Sequence, residues 1–182
     1  MSGSCAKVSR HWRGSRHEGG SEQPGRAMSV RLEDSAAWEF LTRGHTGIFT
    51  SLRRDGVPIS LPIWFVVLDG AIYTRTPGVT TKLRRVEHDS RACFLVEAGQ
   101  AWKELRAVMV VVSASVVHDE DLKRAADEAI NQKYLAFSTP RELMPERTRK
   151  YMNLETGFIR MDPVEAPISW DNRRIELADP RP

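Results

Sequence analysis

Hydrophobic and polar positions change period several times along this chain of 182 residues. From Asp34 to Gly44, Ala37, Trp38 and Leu41 recur at helical spacing, which predicts a short helix with one buried face. Asp34 or Ser35 serves as its N-cap, and Gly44 stands just past its end. The run "TGIFTSLRRDGVPISLPIWFVV" then reads as two strands joined at Asp55-Gly56, a hairpin signal. A second turn, Asp69-Gly70, leads from "PIWFVV" into "AIYTRT", so three antiparallel strands are expected in succession.

A short helix over "TTKLRRVEHD" follows, with Thr80 or Thr81 near its N-cap and Leu83 and Val86 on one face. "RACFLVEA" and the β-branched run "LRAVMVVVSASVV" are strands, "DEDLKRAADEAINQKYLAF" is an amphipathic helix, and "TGFIRMDP" and "APISWDN" suggest a last strand pair. The tally is about six strands with helices between and after them. Tight turns between successive strands favour a mainly β, α+β architecture, an antiparallel barrel, over a doubly wound parallel sheet.

Composition sets the limits of this picture. With 41% hydrophobic and 28% charged residues, the chain suits one well-buried core. Residues 1–29 are rich in Ser, Gly and Arg and offer little to bury. They read as a disordered basic leader, with Met28 as an alternative start, before a domain over 30–176 and a tail over 177–182. Cys5 in that leader and Cys93 in an apolar run make no disulfide framework, which points to a cytoplasmic protein. No apolar stretch is long enough to span a membrane. The net charge of +3 is partly the leader's, and the leader with Trp12 and the Arg84-Arg85 surface sustains a nucleic-acid reading only weakly.

The chemistry concentrates in "YTRTPGVTTKLRRV", residues 73–86. It lacks the glycine and lysine spacing of a P-loop, which argues against nucleoside triphosphate hydrolysis. A helix N-terminus there offers unpaired N–H groups, Thr80 and Thr81 add hydroxyl donors, and Lys82 adds a point charge suited to phosphate. The alternative is a capped surface helix with a solvated basic face. Trp102, Lys103 and Arg106 in "QAWKELRAV" would suit an acidic group in a cleft or an ordinary strand-end turn, and Trp170 a cofactor ring or the core. The acidic residues after His118 fit a helix cap better than a metal site. No Ser-His-Asp order, HExxH helix or spaced Cys/His set appears, and no metal is expected.

The order of these pieces resembles the pyridoxamine 5′-phosphate oxidase-like family. They are Gly47 to Thr50, Asp55-Gly56, "LPIWF" from Leu61, Asp69-Gly70, "YTRT" from Tyr73, Thr81-Lys82 and the "ISWDNRRI" ending, spread over Val30 to Ile175. The resemblance implies a six-stranded split β-barrel of the flavin-reductase kind and a homodimer. It further implies a flavin-type cofactor, coenzyme F420 or FMN, bound in a cleft between subunits. By position, Lys82 would pair the phosphate and Thr81 donate to it, with Thr80 and Arg85 beside them. Tyr73, Thr74, Arg75 and Thr76 would line the cofactor, and Leu61, Pro62, Ile63 and Trp64 would face its ring. The Ser-Arg-Lys of the oxidase proper is here Thr-Thr-Lys, which implies a relative of that enzyme with a different activity.

In such a protein the cofactor carries the difficult chemistry, and the chain binds, orients and excludes water. The expected activity is hydride transfer to an unsaturated or quinone-like small molecule. Coenzyme F420 is favoured because Arg75, Lys82, Arg84 and Arg85, with Lys103 and Arg106, exceed what one phosphate requires. A non-catalytic flavin or haem carrier on the same barrel is the second expectation.

Overall fold

The computed structural model describes residues 30–78 and 80–178. The expected leader, with Cys5 and Met28, lies outside them, as do Val79 and the last four residues. In chain order the elements are α1 (Asp34–Arg43), β1 (Gly47–Leu52), β2 (Pro58–Ile63), β3 (Val66–Leu68), β4 (Ala71–Pro77) and α2 (Thr81–His88). Then come β5 (Arg91–Ala98), β6 (Arg106–Val116), α3 (Glu120–Tyr134), α4 (Glu146–Met152), β7 (Thr156–Pro163) and β8 (Ile168–Asp171). No helix among the described residues is long and apolar enough to cross a membrane.

The strands form one antiparallel sheet in the order β2-β1-β5-β6-β7-β4-β3, with β8 also on β6. The described residues hold eight strands rather than about six, and two departures from the expected strands stand out. "PISLPIWFVV" is not one strand: Trp64 and Phe65 interrupt it, so β2 pairs with β1 and β3 pairs with β4. Nor do β7 and β8 pair with each other. Both lie along the β6 edge opposite β5, with β7 on Val112–Val116 and β8 on Arg106–Met109.

The turn chemistry is as the sequence indicates. Asp69 and Gly70 both have positive φ, 49° and 76°, the conformation that a two-residue hairpin needs. Asp119 caps α3 by accepting from the N–H groups of Asp121 and Leu122, each at 2.9 Å. The N-cap of α1 is Glu33 rather than Asp34 or Ser35. Asp34 instead occupies the first turn, where its charge complements the helix dipole.

Alternation along β4 and β6 builds two apolar layers. Ile72, Phe49, Phe94, Val108, Val110, Ile159 and Met161 fill the inside of the curled sheet. Tyr73, Phe158, Ala126, Ile130 and Tyr134 pack α3 on its outside. Helix α2 presses on the sheet through Leu83, and it comes close because Gly157 of β7 has no side chain. A Cβ there would stand 2.5 Å from Leu83 Cδ1.

The two ends of the sheet are β2 and β3, which only Trp64 and Phe65 separate in sequence, so the sheet has to curl until its ends meet. Tyr134 holds that seam. Its hydroxyl accepts from the Phe65 N–H at 3.0 Å and lies 2.8 Å from the His45 carbonyl and 3.0 Å from that of Phe65, to which it donates. Its ring stacks on Trp64 at 4.4 Å between centroids. Beside it, Lys133 donates to the Thr42 carbonyl at 3.1 Å and sits 4.0 Å above the Phe65 ring. Burial lowers the Lys133 pKa to about 8.

Tyr134→Phe, which keeps the packing but removes the hydroxyl that accepts from the Phe65 N–H and shares its one hydrogen between the Phe65 and His45 carbonyls, should destabilise the fold by about 1–3 kcal/mol in urea unfolding. The exposed Tyr151→Phe should change it little. For Lys133 the folded pKa lies below the unfolded one, so the unfolded chain binds the extra proton between about pH 8 and 10. Stability from this group therefore rises with pH through that window. The stability of Lys133→Met relative to the parent should fall between pH 7 and pH 9.5.

Candidate functional site

The loop that follows β4 delivers the chain to α2 through a bond between the Thr76 and Thr80 hydroxyls, 3.3 Å apart. Thr80 is the N-cap of α2, yet its side chain caps no N–H group of the helix. The first turn of α2 thus keeps donors and the positive end of the dipole unspent by any side-chain cap. Thr81 stands exposed at that turn, with Lys82 half-buried next to it.

Across from α2 runs the β1–β2 hairpin, and the two enclose a cleft of about 550 Å³. Ile59 lies at its base; Arg53 and Arg54 reach in from the hairpin turn, and Thr81, Arg84, Arg85 and His88 from the helix. Helical periodicity puts Thr81, Arg84, Arg85 and His88 on one side of α2, which is why one cleft gathers them. Arg53 has a partner in Asp55, 2.8 Å away. Among the described residues, no carboxylate lines the cleft itself.

Arg85 is the unusual member. Its Nε donates at 3.0 Å to Oγ of the fully buried Ser51, while its Nη2 is buried with no hydrogen-bond partner among the described residues. A buried donor left unpaired costs about 1–3 kcal/mol, and more where it carries charge. Lys82, one turn earlier, adjoins the cleft without lining it; its pKa is lowered by burial first and by the Arg85 charge second, and it makes no ion pair among the described residues. Two adjoining cations therefore lack a counter-ion. An anion seated in the cleft would find a charged donor in Arg85 Nη2.

The other sequence candidates lie elsewhere. Leu61, Pro62 and Trp64 are exposed along the free edge of the sheet and its break, and Ile63 is buried. Tyr73 packs under α3, and Thr74 Oγ1 donates to the Trp64 carbonyl at 2.7 Å, fixing the seam. Arg75 does not reach the cation cleft: it faces α3 and pairs with Asp127 at 2.5 Å and Asn131 at 2.7 Å. Trp102 is 57% exposed on a 3-10 turn, Lys103 donates to the carbonyls of Arg173 and Ile175, and Trp170 is exposed on β8. Arg106 stands 4.9 Å over the Phe40 ring in a separate cavity of about 540 Å³, beside the buried Asp171. The hydrogen bonds from Arg173 hold that carboxyl below the usual range. Among the described residues, no group of three His, Cys, Asp or Glu side chains could hold a metal ion.

Sequence reasoning missed Arg53, Arg54 and Ser51. The first two were legible only as flanks of a turn. Ser51 shares the inward face of β1 with Phe49, and a small polar residue at a core position was its one signal.

The pattern of the pyridoxamine 5′-phosphate oxidase family matches residues 33–169. The chain belongs to that family. The matched span runs from the start of α1 to β8 and so includes the hairpin, the loop and α2 that form the cation cleft. Among solved structures, a conserved hypothetical protein of Mycobacterium tuberculosis is 24% identical, with a TM-score of 0.67 over 87% of this chain and 96% of that one. An FAD binding protein of Mycobacterium smegmatis is 18% identical, with a TM-score of 0.56 over 78% and 98%. A putative 5-nitroimidazole antibiotic resistance protein of Bacteroides thetaiotaomicron is 12% identical, with a TM-score of 0.58 over 75% and 84%. These likenesses show the shared oxidase-family fold. No curated protein sequence matches the chain.

The cleft geometry gives a direct expectation for an anion. Inorganic pyrophosphate should raise the melting temperature of the parent, and the rise should shrink by more than half in Arg85→Met and in Lys82→Ala. An equal rise in all three would show that the cations do not act as one site.

Proposed function

We propose that this member of the oxidase family is an oxidoreductase that holds a flavin-type cofactor by its phosphate in the cation cleft and passes hydride to an unsaturated or quinone-like small molecule. The observation that carries this reading is the buried, unpartnered Nη2 of Arg85 beside Lys82. A phosphate oxygen supplies the missing acceptor, and its charge offsets both cations. The Thr81 hydroxyl and the uncapped first turn of α2 add donors to the same group. The name of the M. smegmatis neighbour, an FAD binding protein, supports a flavin-type ligand.

On this reading Leu61, Pro62 and Trp64 meet the tricyclic ring, and their exposure leaves them free to do so. Thr74 and Tyr134 hold Trp64 in place through its carbonyl and its ring. A second copy of the chain would complete the cleft, as a homodimer with the cofactor between subunits. The exposed apolar residues Val57, Leu61 and Trp64 along one sheet edge support that assembly.

Coenzyme F420 fits better than FMN. FMN ends in a single phosphate, whereas F420 continues into an oligoglutamate tail. Lys82 and Arg85 suffice for one phosphate, and Arg54 and Arg84, without ion pairs among the described residues, remain for a longer anion. Hydride chemistry is supplied by the cofactor when bound; the chain's part is to fix the phosphate, orient the ring and exclude water.

Titration of FMN and coenzyme F420 by fluorescence tests the proposal. F420 should bind the parent more tightly. Arg54→Ala with Arg84→Ala should cut F420 affinity by tenfold or more and leave FMN within about threefold, whereas Lys82→Ala should weaken both and Thr81→Val both by less. Tighter FMN binding by the parent would reverse the choice of cofactor, and tight binding with no turnover against any acceptor would make the protein a carrier.

A further inference from the structure

On the α3 side of β4, away from the cation cleft, lies another cavity of about 400 Å³. Trp64, Ile130, Met152 and Leu154 give it apolar walls, and its polar groups include Arg75 and Asp127. That size suits a small organic ligand. Trp64 is part of it, so it adjoins the place assigned above to the cofactor ring.

The hydrogen bonds of Arg75 define what this cavity can recognise. Its Nη1 spends both hydrogens, on Asp127 Oδ1 and on Asn131 Oδ1, and Asn131 Nδ2 donates to Asp127 Oδ2 at 3.0 Å. The guanidinium is thereby locked in orientation and its charge is matched by one carboxylate. Nε and Nη2 still carry three N–H groups with no partner among the described residues. A neutral pair that presents spare, directed donors beside apolar walls favours an uncharged hydrogen-bond acceptor over an anion.

We infer that this cavity binds the hydride acceptor, a planar, uncharged α,β-unsaturated carbonyl compound, with Arg75 donating to its carbonyl oxygen and Asp127 and Asn131 as positioning residues. The hydride step rests on the oxidoreductase reading; the binding step does not. The substrate takes a hydride with its electron pair at the β-carbon from the reduced cofactor, which is oxidised by two electrons. The C=C π pair moves so that charge gathers on the carbonyl oxygen, and a solvent proton at the α-carbon completes the reduction. Arg75 donates to the oxygen that gains charge, so its bond strengthens as the reaction proceeds.

The test uses the full chain without cofactor and three probes of one shape in ligand-detected NMR titrations: 2-acetylnaphthalene, 2-ethylnaphthalene and 2-naphthoate. The ketone should bind at least tenfold more tightly than the hydrocarbon and more tightly than the carboxylate. Arg75→Met should bring the ketone down to the hydrocarbon, with Arg75→Gln as the substitute should that variant fail to fold. Asp127→Asn leaves the cavity with a net positive charge and should invert the preference toward 2-naphthoate, a reversal that mere loosening of the fold would not produce. Equal binding of ketone and hydrocarbon by the parent, a preference for naphthoate, or a ketone preference that survives the loss of Arg75 would each overturn the assignment. Failure here with normal cofactor binding sinks only the acceptor site, and failure of the cofactor titration leaves this result standing.

Discussion

The hydroxyl of Tyr134 satisfies backbone groups of Phe65 and His45 at the point where the sheet changes from β2 to β3. Two residues cannot bridge opposite ends of a flat seven-strand path, so the sheet closes only if those residues leave the strand ladder. Leaving it strips them of ladder partners. A buried backbone group without a partner is costly, and a side chain from α3 removes that cost. The same ring keeps Trp64 flat against it. Closure of the fold and placement of an aromatic at the candidate site are therefore one interaction.

The cation cleft follows a different physical logic. Its residues come from a hairpin turn and from one side of α2, and no described residue that lines it carries a negative charge. Several ion pairs on this molecule lie at the surface, such as Arg43 with Glu39 and Lys150 with Glu146, where solvent makes each pair worth little. Arg85 is unlike these because Ser51 draws it inward beneath the rim of the cleft. Lys82 keeps its proton less firmly for the same reasons, burial and a neighbouring cation. Cations gathered this closely repel one another, and an anion placed among them would relieve that repulsion.

Much of this was legible in the sequence wherever the cause is local. Asp69-Gly70 requires positive φ and declared its turn; Asp119 declared the cap of α3; the spacing of Leu83 and Val86 declared the buried face of α2. What escaped depends on distant partners. Nothing near Trp64 in sequence shows that a strand must break there, because the break is imposed by closure and by a tyrosine on α3. Arg75 and Arg85 look alike in sequence, yet strand alternation turns one toward Asp127 and helix periodicity turns the other toward Ser51. Helix α4 and the 3-10 turn at Arg141–Leu143 before it contain no buried residue, so they leave no periodic apolar signal.

The close approach of Leu83 to Gly157 reaches beyond packing. Helix α2 is short and carries Arg84 and Arg85 toward the β1–β2 hairpin, so the height at which it rides above β7 sets where those charges stand. That height is limited by the bare backbone at a single position, one that lines neither the cation cleft nor the Arg75 cavity. The placement of the cations can therefore drift through substitutions under the helix as readily as through substitutions in the cleft. Two relatives with identical cations would then differ in what they hold, for reasons that an inspection of their binding residues alone does not reveal.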